Sequence, residues 1–140
     1  MEPLMTTPVG RRAVLASACG IACAAALSGC AGYGPGRPRA VPPPPPGTPL
    51  AAVADVPVGG GVILADRDTV VTQPVEGEFR AFSATCTHEG CLVATVTDTI
   101  NCTCHGSTYA VADGSVVAGP APSPLAERAV MVTDGTVVSA

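Results

Sequence analysis

From residue 51 onward the apolar positions come in short bursts, each closed by glycine, proline or polar residues. The bursts cover residues 51–55, 61–65, 69–72, 78–83, 92–96, 99–102, 109–111, 115–117, 128–132 and 136–139. They are rich in β-branched residues or alternate apolar with polar, the period of a strand that buries one face. Turn signals separate them: Val58-Gly59-Gly60-Gly61, Pro74-Val75-Glu76-Gly77, Asp113-Gly114 and Asp134-Gly135. No stretch sustains helical periodicity. The pattern predicts an all-β, antiparallel domain over 50–140, a small sandwich or barrel, with Phe82 in its core. Residues 92–96 and 99–102 predict a hairpin in the middle of that domain. Asp66 and Asp68 read as ordinary turn or surface residues.

Upstream the pattern changes. Arg11-Arg12 precedes an apolar run over 13–27, which ends in Leu27-Ser28-Gly29-Cys30. Residues 1–30 therefore read as an export signal. The run is short for a membrane span, which needs about 20 apolar residues. Its last four residues resemble a bacterial lipobox, in which Cys30 is acylated and becomes the new N-terminus. The arginine pair resembles a twin-arginine signal, from which Gly10, Val14 and Ala16 depart. Residues 31–49 form a linker with eight of the fifteen prolines, five of them consecutive at 42–46. Such a run favours polyproline II and acts as a semi-rigid spacer; nineteen residues at about 3.1 Å each reach on the order of 55 Å. The expected layout is a lipid-anchored head at the extracytoplasmic face of a bacterial membrane.

Composition narrows the partners. Aromatics make up 3% and tryptophan is absent, so alanine and valine must fill the core. From Leu50 on, three arginines (67, 80 and 128) face ten acidic residues, a balance of -7. Nucleic acid is a poor partner for such a head. A basic protein partner suits it, through electrostatic steering.

The chemistry is concentrated in two short boxes. One is Cys86-Thr87-His88-Glu89-Gly90-Cys91 and the other Cys102-Thr103-Cys104-His105-Gly106-Ser107. They hold both histidines and four of the seven cysteines. Each can give one sulfur and one nitrogen, and two such loops can close around a metal. Four donors of this softness suit zinc or an iron–sulfur cluster.

The paired boxes resemble those of Rieske iron–sulfur proteins, with C-T-H-x-G-C followed by C-x-C-H-G-S. The likeness extends to Tyr109, two residues past Ser107, and to Gly119-Pro120-Ala121-Pro122, and it covers roughly residues 50–140. It implies a Rieske-type antiparallel fold with a hairpin subdomain that binds one 2Fe-2S cluster. Cys86 and Cys102 would hold one iron, and His88 and His105 the other. Cys91 and Cys104 would form a disulfide tying the loops together. Ser107 would donate to a bridging sulfide and Tyr109 to a cysteine sulfur. Replacing two thiolates by neutral imidazoles makes the cluster less negative and places Rieske potentials near about -150 to +300 mV.

The extra cysteine pair sets the chain apart from Rieske ferredoxins and ring-hydroxylating oxygenases. It resembles the quinol-oxidising class, the iron–sulfur subunits of cytochrome bc complexes. The resemblance implies one-electron transfer from quinol to a cytochrome. A free-standing membrane-anchored carrier, or the small subunit of another extracytoplasmic oxidoreductase, is the alternative. Glu89 is a departure, because cytochrome bc subunits usually place a hydrophobic residue there.

Overall fold

The computed structural model describes residues 41–140. The export signal, Cys30 and linker residues 31–40 lie outside the described residues.

The described chain is all-β, as the periodicity predicts. In order the strands are β1 (Pro49–Ala52), β2 (Gly60–Leu64), β3 (Thr69–Val75), β4 (Glu78–Ser83), β5 (Thr95–Val96), β6 (Thr99–Asn101), β7 (Thr108–Ala110), β8 (Val116–Ala118), β9 (Glu127–Arg128), β10 (Val130–Thr133) and β11 (Thr136–Ser139). They form three antiparallel sheets, ordered β1-β11-β10, β2-β3-β4-β9 and β5-β6-β7-β8.

Two cores hold the sheets together. One gathers Leu50, Val56, Val71, Ala81 and Val137. The other gathers Val70, Phe82, Ala84, Val93, Ile100, Tyr109 and Leu125, together with Cys86 and Cys102. Neighbours Val70 and Val71 are both fully buried and serve different cores, because successive strand side chains point to opposite faces. β3 is thus the partition between the base and the half that carries the cysteines.

Several boundaries differ from the pattern, each for a local reason. Residues 53–55 leave strand geometry for a short 3-10 turn, η1 (Val53–Asp55), and a second such turn, η2 (Ala65–Arg67), precedes β3. Strand pairing over 92–96 is confined to an isolated Thr85–Leu92 bridge and to β5: the Ala94 amide still bonds to Asn101 of β6, but the Val93 amide turns across the first loop to Ala84. Asp68 is not a surface residue; it is 5% exposed and ion-paired to Arg128 at 2.7 Å. The end of the proline run is tied to the last strand. The Gly47 amide donates to the Ser139 carbonyl at 2.7 Å, and the Ser139 hydroxyl donates to the Pro45 carbonyl. No helix among the described residues is long and apolar enough to cross a membrane.

Candidate metal centre

The two boxes fold into two loops with one hydrogen-bond frame. In each, the amide of the first residue donates to the carbonyl of the sixth: Cys86 to Cys91 at 2.7 Å and Cys102 to Ser107 at 2.8 Å. The amide of the fifth returns to the carbonyl of the first: Gly90 to Cys86 at 3.0 Å and Gly106 to Cys102 at 3.1 Å. That fifth position has φ +80 in one loop and +79 in the other, a left-handed backbone that favours glycine. The repeated spacing of the boxes is therefore a repeated backbone shape. β6 leads directly into the second loop and β7 leaves it, while the Thr85–Leu92 bridge closes the foot of the first.

The frame sorts the donors into two layers. Cys86 and Cys102 are buried and unpaired by disulfides. His88 and His105 are more exposed, with Nδ1 atoms 3.2 Å apart and rings nearly perpendicular at 84°. His105 is about half exposed, and its Nε2 lies 3.6 Å from a Glu89 carboxylate oxygen. Cys91 and Cys104 are disulfide-bonded and join the loops, as the resemblance implies. Two inner sulfurs and two outer imidazole nitrogens make a donor set that fits a group with one sulfur-held and one nitrogen-held iron.

The surroundings favour charge on one sulfur. Burial pushes the Cys86 thiol up, but hydrogen bonds from the Tyr109 hydroxyl and the His88 amide, aided by Cys102 and Ser107, bring it below the ordinary thiol value. Cys102 is raised, first by burial and then by Cys86 beside it. Tyr109 is fully buried, and its hydroxyl lies 3.1 Å from the Cys86 sulfur. The Thr87 amide donates to the same hydroxyl at 3.1 Å, and the Thr87 hydroxyl donates to the Ser123 carbonyl at 2.6 Å. Ser107 is also fully buried; its oxygen accepts from the Ala121 amide at 3.1 Å, which leaves its proton free to point toward the sulfurs. The glycine–proline segment thus supports both loops. The anchoring role of Thr87 is not visible in the sequence, where Ser123 stands 36 positions away.

The Rieske [2Fe-2S] domain family matches residues 48–130, more than half of the chain. The chain belongs to that family. Its cofactor is accordingly a 2Fe-2S cluster. Among relatives, the cytochrome b6-f complex iron-sulfur subunit of Chlorobaculum tepidum is 42% identical over 92 residues, covering 64% of this chain and 50% of the relative. The corresponding subunit of Chlorobaculum thiosulfatiphilum is 35% identical over 93 residues. The chain spans about half the length of these curated relatives. Among solved structures, the cyanobacterial plasma membrane Rieske protein PetC3 from Synechocystis PCC 6803 is 26% identical with TM-score 0.56, covering 66% of this chain and 98% of that one. A chain of the reduced oxygenase–oxidized ferredoxin complex of carbazole 1,9a-dioxygenase is 28% identical with TM-score 0.53, covering 66% and 99%. Rieske folds from several settings thus resemble this head.

Proposed function

We propose that this chain is a one-electron carrier of the high-potential Rieske type, serving as the iron–sulfur subunit of a quinol–cytochrome oxidoreductase. The observation that carries this is the convergence of two buried thiols and two imidazoles on loops locked by the Cys91–Cys104 disulfide. Cys86 and Cys102 hold one iron, and His88 and His105 the other. The chemistry supplied by the bound group is uptake and release of one electron.

The chain's own residues set how that proceeds. The Tyr109 hydroxyl at the Cys86 sulfur and the Ser107 hydroxyl favour the more negative, reduced form. The buried sulfurs keep water from the inner face. His105 Nε2, on the exposed edge, is the atom placed to accept a hydrogen bond from a quinol hydroxyl and to take its proton. Acylation at Cys30 anchors the chain at the extracytoplasmic face, residues 1–30 being the signal, 31–49 the linker, whose last residues from Pro45 are bonded to the body, and 50–140 the head.

EPR spectroscopy and a pH-dependent redox titration of the purified protein test this. A Rieske-type signal with a potential that falls as pH rises is expected; a colourless, zinc-loaded protein would remove the proposal. A second reading, a free-standing carrier, is favoured by Glu89, whose carboxylate beside His105 is ill suited to an apolar quinol pocket. Co-purification with a cytochrome b separates the two.

A further inference from the structure

We propose that Asp68 is a positioning residue for the first loop, holding Thr85 so that the neighbouring Cys86 sulfur meets the Tyr109 hydroxyl. The proposal rests on the reading of Cys86 as a ligand. Asp68 lies 18 positions before Cys86, at the end of η2, and has the left-handed backbone angles φ 46 and ψ 48. It is 5% exposed, and a buried carboxylate needs partners for both oxygens. It has them. Oδ2 accepts from the Ser83 hydroxyl at 2.8 Å and from Arg128 Nη2 at 2.7 Å; Oδ1 accepts from the Thr85 hydroxyl at 2.7 Å. Its backbone carbonyl accepts from the Ala84 amide at 3.2 Å.

Three consecutive residues, 83 to 85, therefore donate to one aspartate immediately before Cys86. The Thr85 amide also donates to the Ser83 oxygen at 3.2 Å, which closes the cluster on itself. The other foot of the loop is held to the same segment by the Val93 amide on the Ala84 carbonyl and by the Thr85–Leu92 bridge. Arg128 is placed by backbone pairing of β9 with β4, and its Nε is buried without a partner. Among the described residues its ion pair is with Asp68. The bonds to Asp68 reach the first loop's base from the β2–β3 connection. A displacement of Thr85 is transmitted through one peptide unit to Cys86, whose sulfur has a 3.1 Å contact with Tyr109 to lose.

The test uses the full chain carrying its cluster, with Thr85→Val, Thr85→Ser and Asp68→Asn. Three readouts are the midpoint potential, the EPR g-values and the rate of iron loss to a chelator. Thr85→Val removes the hydroxyl at nearly constant shape. It is expected to shift the potential and the g-values and to speed iron loss several-fold; Asp68→Asn, which loses the charge facing Arg128 but keeps an oxygen for Thr85, is expected to change them less. Thr85→Ser, which keeps the hydroxyl, is expected to restore all three. If Thr85→Val leaves the three readouts at the parent values, or lowers only the melting temperature, the positioning role is overturned. Should Asp68→Asn not fold, the valine–serine pair decides. The parent's own EPR signal reports separately on the ligand reading: its absence sinks that reading, while a normal parent with insensitive variants sinks only the clamp.

Discussion

Tyr109 shows how much one hydroxyl can be asked to do. It touches the Cys86 sulfur, receives the Thr87 amide and is fully buried. A hydrogen bond to a charged group contributes about 1.5–3 kcal/mol. For a one-electron couple Tyr109→Phe should therefore lower the midpoint potential by tens of millivolts to about a hundred, read by redox titration. Asp113 offers a prediction at the other extreme of exposure. The Ser115 hydroxyl, at 2.6 Å, and the Ser115 amide, at 2.9 Å, hold its carboxyl below the ordinary value. Because the folded value is the lower one, its contribution to stability is present above the unfolded value and is lost as pH falls through the folded one. An NMR titration of Asp113 should show its midpoint rising in Ser115→Ala, toward the unfolded carboxylate. Tyr109 could be picked from the sequence because it follows the second box at fixed spacing. Asp68 could not: its partners stand 15, 17 and 60 positions away, and a D-R-D turn looks solvated until the chain folds over it.

At the level of elements, the decisive feature is that two different sequences adopt one loop frame, and that a third segment is wedged beneath. Gly119 has φ +93, and a Cβ there would lie 2.5 Å from Ser107 Cα and 2.8 Å from the Gly106 carbonyl oxygen. Those are backbone atoms of the second loop, so no side-chain rotation relieves the overlap. Gly119→Ala should cost about 1–3 kcal/mol by overpacking and weaken iron retention, measured as a lower melting temperature and a lower iron content at purification. A variant with parent values of both would mean that the segment does not support the loop. The strands themselves were legible where a short β-branched or mixed apolar–polar run was closed by turn residues, as in β2, β4 and β11. They were not where loop backbone competed for partners, as at 92–94, or where a strand ended in a 3-10 turn, as at 53–55. Hydrogen-bond competition between non-adjacent segments leaves no periodic trace.

At the level of the whole molecule, net charge sets what the head can meet. The balance of -7 over the head predicts that electron transfer to a basic protein partner slows by roughly tenfold or more as salt rises from low to physiological strength. Stopped-flow rates across that range check it, and a flat profile rules out electrostatic docking. The proline run enters this picture in an altered form, because Pro45, Gly47 and Thr48 are bonded to the last strand or to one another. By itself the sequence determined the all-β class and the donor types, since strand period and cysteine–histidine spacing are local properties. With the family resemblance it also pointed to the disulfide partners. Only the tertiary structure decided which donors are buried, which carboxylate lies beneath the first loop and where the proline run meets the body. Those depend on contacts between residues far apart in the chain, which exist only once three sheets have packed.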